Sequence, residues 1–444
     1  MSNMISKAVL LSLASVIFAA PAFAQDAERD RNAFTINALY KGDVMGVASG
    51  GVAHGVRFLD NIDVVADADL EAAFHWKRAT AHFSLLNNLG GRPNDLAGSI
   101  QGIDNIEVSE GRLKVYEAWL EQGLGEHVML KTGLYDVNSE FYQNDAAGLL
   151  ISPMFGVGSE LAATGTNGPA IFPSTALAVR LKAATGNVYG AVAVVNAKAG
   201  TIGDEEGIDF SGREGALVIA EAGWTGRGKL ALGAWRYTHK QPGVIPPGAT
   251  LTEERYFSQG LYLLAEQDLL GAAEGDGTHL VGFVRLGLSD GRTTPFRGGW
   301  QSGVLWERPF ASRPASAVSL GAGNGALSRN YRAGNPVDSP RLDGSETIFE
   351  LTYSDEIIKG ISVQPDIQYV LNPSADSTID DALVLGLRFR IAWSSHCARS
   401  YARRRALCRF LISQTLTAVT YERILSLTKV LKLMMVAVAA VGGL

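Results

Sequence analysis

The sequence predicts an all-β fold, a transmembrane antiparallel β-barrel of about sixteen strands with a constriction loop folded inward. Three observations carry this. The chain opens with an export signal, strands of period-two alternation recur along the body, and the connections between them are alternately long and short.

Lys7 precedes an apolar run from Ala8 to Ala20 and the small-residue pattern Ala22-Phe23-Ala24, the form of a cleavable secretory signal. The run is shorter than the roughly 20 residues a membrane helix needs, and Gln25-Asp26 follows at once. Residues 1–24 therefore read as a signal peptide, 25–393 as the barrel. Export favours disulfides, yet both cysteines, Cys397 and Cys408, lie beyond the body, so a disulfide scaffold is excluded. Seven unclustered histidines give no metal site, and no cofactor is expected. A mean hydropathy of +0.09 without a membrane-helix run is what alternating apolar and polar faces produce.

Alternation is cleanest at the end of the body. Leu383, Leu385, Leu387, Phe389, Ile391 and Trp393 share one face, and Val384, Gly386, Arg388, Arg390 and Ala392 the other. Two arginines in a dry core would cost several kcal/mol each, whereas a face lining water tolerates them. Ser362, Gln364, Asp366 and Gln368 alternate with Val363, Pro365, Ile367 and Tyr369 and predict a wet lumen. Ile62 to Leu70 and Leu177 to Lys182 repeat the pattern, while in Lys229 to Tyr237 the leucines oppose Trp235 and Tyr237 and the orientation stays open. In order, strands are expected near 44–51, 62–70, 79–87, 112–121, 128–136, 175–183, 188–196, 215–223, 229–237, 259–267, 280–289, 300–306, 317–323, 346–353, 361–370 and 382–393. An even count suits a single-chain bacterial barrel. Odd-to-even connections average about 19 residues and even-to-odd ones about 7, the contrast between extracellular loops and periplasmic turns.

Several segments taken in order resemble the carbohydrate-selective porins, the OprB family. They are Ser49-Gly50-Gly51 with Gly55, Gly102-Ile103-Asp104-Asn105-Ile106, Tyr116 to Gln122, Gly133 to Phe141, Asn167 to Pro173, Gln364 to Val370, and Asp381-Ala382-Leu383. The resemblance implies a sixteen-stranded porin that passes glucose and related sugars.

In such porins the loop after the fifth strand narrows the barrel, and here 137–174 is the longest connection, rich in turn residues such as Pro153, Gly156, Gly158, Gly165, Gly168, Pro169 and Pro173. A sugar channel needs polar groups that replace the hydration of hydroxyls and aromatic faces for the ring, with binding weak enough for release. The substrate-channel candidates are Glu117, Trp119, Lys131, Tyr135, Glu140, Arg180, Lys182, Glu221, Arg285, Asp366, Arg388 and Arg390. Asp63, Asp67, Glu266 and Glu350 are further inward acids. Trp119 and Tyr135 are the expected sugar-stacking rings, Glu140 is expected to face the basic wall, and His82 is a lumen residue. Trp76, Tyr353, Tyr369 and Trp393 suit an interfacial belt.

Residues 394–444 are basic, carry both cysteines and fall outside the family pattern; they are expected to be a non-native, disordered or helical extension. The chain's net charge is −6, so the body without this tail is more acidic still, which disfavours nucleic acid. No nucleophile elbow or paired-histidine motif is present, so no enzyme and no catalytic residues are expected. The glycines of Gly321-Ala322-Gly323-Asn324-Gly325 resemble a phosphate loop in composition alone. Expected partners are sugars as permeating solutes, outer-membrane lipid and lipopolysaccharide, and the barrel-assembly machinery. The protein is a monomer or a homotrimer of the cell outer membrane, and the competing class is a non-conducting barrel serving as structural protein or adhesin.

Overall fold

A computed structural model describes residues 33–245, 254–272, 277–335 and 341–396. The signal peptide and residues 397–444 of the tail lie outside the described residues. Sixteen strands form the wall: β1 Phe34–Gly51, β2 Gly55–Asp69, β3 Ala79–Gly90, β4 Leu113–Gly123, β5 Val128–Tyr135, β6 Ala176–Thr185, β7 Val188–Asn196, β8 Ala216–Thr225, β9 Gly228–Tyr237, β10 Gln259–Leu270, β11 His279–Ser289, β12 Phe296–Glu307, β13 Ala317–Leu327, β14 Ser345–Ile358, β15 Ile361–Leu371 and β16 Asp380–His396. Each pairs antiparallel with the next, and β16 returns to β1 with Lys41 opposite Arg390 and Asp43 opposite Arg388. Closure leaves no sheet edge, the condition for strands in lipid.

The expected strands all form, and several run longer. β1 begins at Phe34 and β2 at Gly55, so the expected loop 52–61 shrinks to the turn Val52–His54. Polar residues such as Asn37 and Asp60 interrupt the apolar repeat there, although backbone pairing continues through them. The alternation of long and short connections holds elsewhere except at 290–295, which is shorter than the turns 271–278 and 308–316 on either side of it because β12 begins at Phe296 rather than near 300.

Faces follow the pleat. Leu385 is 48 % exposed on the outer wall while Val384 and Arg388 point inward and are buried. The ambiguous β9 resolves the same way, with Leu230 and Leu232 outward and Trp235 and Tyr237 buried inside. Trp76, Tyr369 and Trp393 are exposed, as belt residues should be, and Tyr353 is half-buried against Phe310.

Among the described residues two connections fold into the barrel, 136–175 between β5 and β6 and 91–112 between β3 and β4. The sequence pointed to the first alone. Ile103 and Ile106 of the shorter loop pack with Ala146, Leu150, Ile151, Met154 and Phe155 of the longer one, against Met45, Val281, Phe283, Ile348 and Val384 of the wall. The core of this membrane protein thus lies inside the barrel, between loop and wall. The glycine cluster of β13 has its explanation here. Gly321 and Gly323 face inward, and a Cβ at either would collide with Phe155 or Met154 of the loop; glycine permits the close approach.

Candidate channel lining

The wall grips the long loop by its main chain. Arg285 on β11, 1 % exposed, donates to the carbonyls of Tyr142 at 3.2 Å, Gly156 at 2.6 Å and Phe155. Glu221 on β8 accepts from the Tyr142 amide at 3.0 Å and the Tyr262 hydroxyl at 2.7 Å. Glu266 on β10 accepts from the Ala146 amide at 2.9 Å, and Glu350 on β14 from the amides of Ser152 at 2.9 Å and Ile151. Lys229 on β9 and Gln364 on β15 donate to the carbonyls of Gln143 at 2.8 Å and Leu149 at 2.7 Å. Charged groups aimed at buried amides and carbonyls make strong hydrogen bonds, and they satisfy a loop backbone that has no sheet of its own.

The shorter loop is held likewise. Glu346 accepts from the amides of Ile100 at 3.0 Å and Gln101 at 3.1 Å, and Gln368 donates to the Ile103 carbonyl at 2.8 Å. Arg388 pairs with Asp43 at 2.6 Å and Asp104 at 3.4 Å and donates to Asn105 at 2.8 Å.

These contacts correct one expectation. Glu221, Arg285, Asp366 and Arg388 point inward as predicted, but all four are buried under the loops rather than bathed in a wet lumen, as are Gln364 and Gln368. Alternation tells the inner face from the outer and is blind to what fills the inside.

In the opposite sector, β1 to β7, the inward Glu117, Trp119 and Lys182 are half-buried, while Lys131 and Arg180 are as buried as the loop anchors. Lys131 on β5 is its hub: its Nζ lies 2.7 Å from Glu140 Oε1 and 3.8 Å from Glu121, 3.8 Å from the Trp119 ring centre and 5.4 Å from that of Tyr135. Arg180 on β6 meets the same Glu140 oxygen at 2.7 Å and also pairs with Glu121. Burial pushes the Glu140 carboxyl up, but the Lys131 and Arg180 charges pull it further down, so it ends below its ordinary value. His82 stacks on Trp119 at 4.8 Å and 6°, with its Nδ1 2.7 Å from Asp67 and its Nε2 3.8 Å from Glu117. Glu117 also accepts from the Asp136 amide at 3.0 Å.

Each predicted residue can now be placed. Glu117, Trp119, Lys131, Glu140 and Arg180 come together in one cluster, with Glu140 against the basic wall as expected. Tyr135 joins them at 1 % exposed, and Lys131 and Arg180 are buried as well, which corrects the expectation that these three line an open channel. The indole of Trp119 meets His82 from β3 and Lys131 from β5, the strands on either side of β4, so its rim is what remains to meet a solute. Lys182 stands 5.8 Å from the Tyr189 ring, an inward aromatic on β7 that the sequence did not single out, and Lys229 approaches that ring at the same distance. Arg390 is half-buried on β16 beside Lys41, whose Nζ lies 3.7 Å from Asp63. Asp43, Glu346 and the 91–112 loop were missed. Asp43 lies in a strand region without clear polar alternation, and no local pattern marks a loop as infolded.

A family model described as carbohydrate-selective porin, OprB family, matches residues 53–393. Porin B of Pseudomonas aeruginosa is 27% identical over 209 residues, 40% of this chain and 46% of that protein. Putative porin QuiX of Acinetobacter baylyi is 23% identical over 227 residues, 44% of this chain and 49% of that protein. The chain thus spans about half the length of the curated relatives it matches. Among solved structures, Pseudomonas putida OprB at high pH superposes with a TM-score of 0.71 at 19% identity, covering 81% of this chain and 94% of that one. The outer membrane channel DcaP of Acinetobacter baumannii gives 0.50 at 10% identity, covering 84% and 100%. The structural likenesses carry the barrel fold, and the family match spans nearly all of its wall. The chain belongs to the carbohydrate-selective porin family OprB, a family of outer-membrane channels, and resides in the outer membrane.

Proposed function

We propose that the barrel passes glucose and related sugars passively through the gap between its pinned loop and the β1–β7 wall. The observation that carries this is the Lys131 cluster, in which acids and bases of both signs sit with indole and phenol rings beside the loop. Paired charges offer donors and acceptors to uncharged hydroxyls without imposing a large field of one sign, and aromatic edges suit the apolar face of a pyranose. On this reading Glu117, Trp119, Glu140, Lys182 and Arg390 meet the solute. Lys131 and Arg180 hold Glu140 and Trp119 in place from beneath, and Tyr135, Glu221, Arg285, Asp366 and Arg388 act by setting the loops that shape the path.

Protein reconstituted in a planar bilayer should conduct ions, and glucose or oligosaccharides should reduce that current while succinate and amino acids do not. A barrel without conductance would instead favour a structural or adhesive role. Conductance indifferent to sugars would leave a general pore.

A further inference from the structure

We propose that the outer rim above β9 and β10 docks a phosphate of the lipopolysaccharide in the outer leaflet. The β9–β10 connection lies on the long-loop, extracellular end. Along β9 the outward side chains are Leu230, Leu232 and Ala234, and the next in register is Arg236, exposed where the strand leaves lipid. Its guanidinium rests 4.5 Å from the ring centre of Phe257, and Nη1 donates to Gln259 at 3.0 Å. Lys240 reaches the same ring at 6.0 Å.

A short ribbon pairing Gln241 with Tyr256 and Pro242 with Arg255 holds the rest of the patch. Arg255 donates to the Lys240 carbonyl at 2.8 and 3.1 Å, Arg292 stands 5.1 Å from the Tyr256 ring, and the Val244 amide donates to the Arg292 carbonyl at 2.7 Å. The acids here are Glu254, hydrogen-bonded by the Tyr256 hydroxyl, and Asp290, which accepts from the amides of Gln259 at 3.0 Å and Arg292 at 2.7 Å. Three cations therefore lie over two rings, and Arg255 joins them through the Lys240 carbonyl, in a chain whose net charge is −6.

Four cations against two acids leave the patch net positive, and an added anion would relieve the excess. Arg236 lies on its ring with Nη1 given to Gln259, which leaves Nε and Nη2 along one edge, a pair of donors that can take a phosphate bidentately. Arg236 points toward the lipid side at the level where strand gives way to loop, and Phe257, 40 % exposed, supplies an aromatic at that same interface. A phosphate carried by a membrane-bound glycolipid fits both the charge and the height; one free in solution would have no use for the lipid-facing arginine.

The test uses the full chain purified in detergent, with binding of bisphosphorylated lipid A, dephosphorylated lipid A and phosphatidylglycerol measured by native mass spectrometry. The double variant R236E/R255E should bind bisphosphorylated lipid A about tenfold more weakly or worse, and wild type should lose as much when the phosphates are removed. Single-channel conductance should be unchanged, since Arg236 faces lipid and Arg255 lies in the rim ribbon outside the channel lining. Should the double variant fail to fold, R236Q/R255Q is measured by the same criterion. Equal binding by variant and wild type, or by lipid A with and without phosphate, overturns the proposal. So does phosphatidylglycerol binding as tightly as lipid A, because the patch would then take any anionic headgroup.

Discussion

Replacing Arg285 by methionine removes the most heavily used anchor of the constriction loop while keeping its bulk. The guanidinium reaches three main-chain carbonyls, those of Tyr142, Phe155 and Gly156, at the two ends of a loop segment. Each loses a charged hydrogen bond and stays buried, so the loop should be loosened by something on the order of 3–5 kcal/mol. Contacts from Glu221, Glu266, Glu350 and Gln364 remain, so the loop should open transiently instead of leaving the barrel. At about 1.4 kcal/mol per tenfold, even the lower figure raises the open population more than about a hundredfold. Phe141, Tyr142 and Phe155 are buried in the closed loop, and chymotrypsin cleavage reports their release when reclosing outpaces cutting. Arg285→Met should therefore be cut within 136–175 far faster than wild type, with larger and noisier single-channel currents. Arg285→Lys, a point charge that cannot span three carbonyls, should fall between. Wild-type resistance to chymotrypsin together with wild-type current in Arg285→Met would refute the anchoring argument.

Trp119→Ala should weaken the glucose block of the current by roughly tenfold, the worth of one aromatic contact, whereas Tyr135→Phe, sealed beneath the loop, should leave it unchanged; equal effects in the two variants would remove Trp119 from the sugar path. Glu140→Gln deprives Lys131 and Arg180 of a carboxylate that the same two cations keep ionised, so reversal potentials in a salt gradient should shift toward anions by about twofold in permeability ratio; a cationic shift contradicts the assigned geometry. Burial raises the Glu160 carboxyl from 4.5 to about 7, so between those values the folded loop keeps a proton that the unfolded chain has lost. Its stability is then full below about 4.5 and falls as pH rises through about 7, by roughly 3 kcal/mol. Chymotrypsin susceptibility of the loop should accordingly rise from pH 5 to 8, and Glu160→Gln should flatten that rise; a slope that persists in the variant assigns it to other groups.

The wall is written into local residue chemistry. A side-chain period of two, repeated from β1 to β16, separates a lipid face from an inner face, because a charged residue turned toward lipid costs about 2–4 kcal/mol. That penalty is local, so Leu385 and Arg388 declare their sides without knowledge of the rest of the chain. The count of sixteen, the long connection 136–175 and the contact between Glu140 and the basic wall were legible for the same reason: they rest on neighbours in sequence or on adjacent strands.

What fills the inside was decided by tertiary structure. Whether Arg285 and Arg388 meet water or a loop carbonyl depends on residues distant in sequence, and no periodicity encodes a partner such as Gly156 or Asp104. The glycines of β13 carried this information in a form that composition could not decode, since their meaning is the space they leave for Met154 and Phe155. The same holds for the 91–112 loop, whose grip by Glu346 and Gln368 uses main-chain atoms common to every residue. Pleat and lipid set the direction of each side chain; closure of the ring and the folding-in of two loops set which of them a solute can reach.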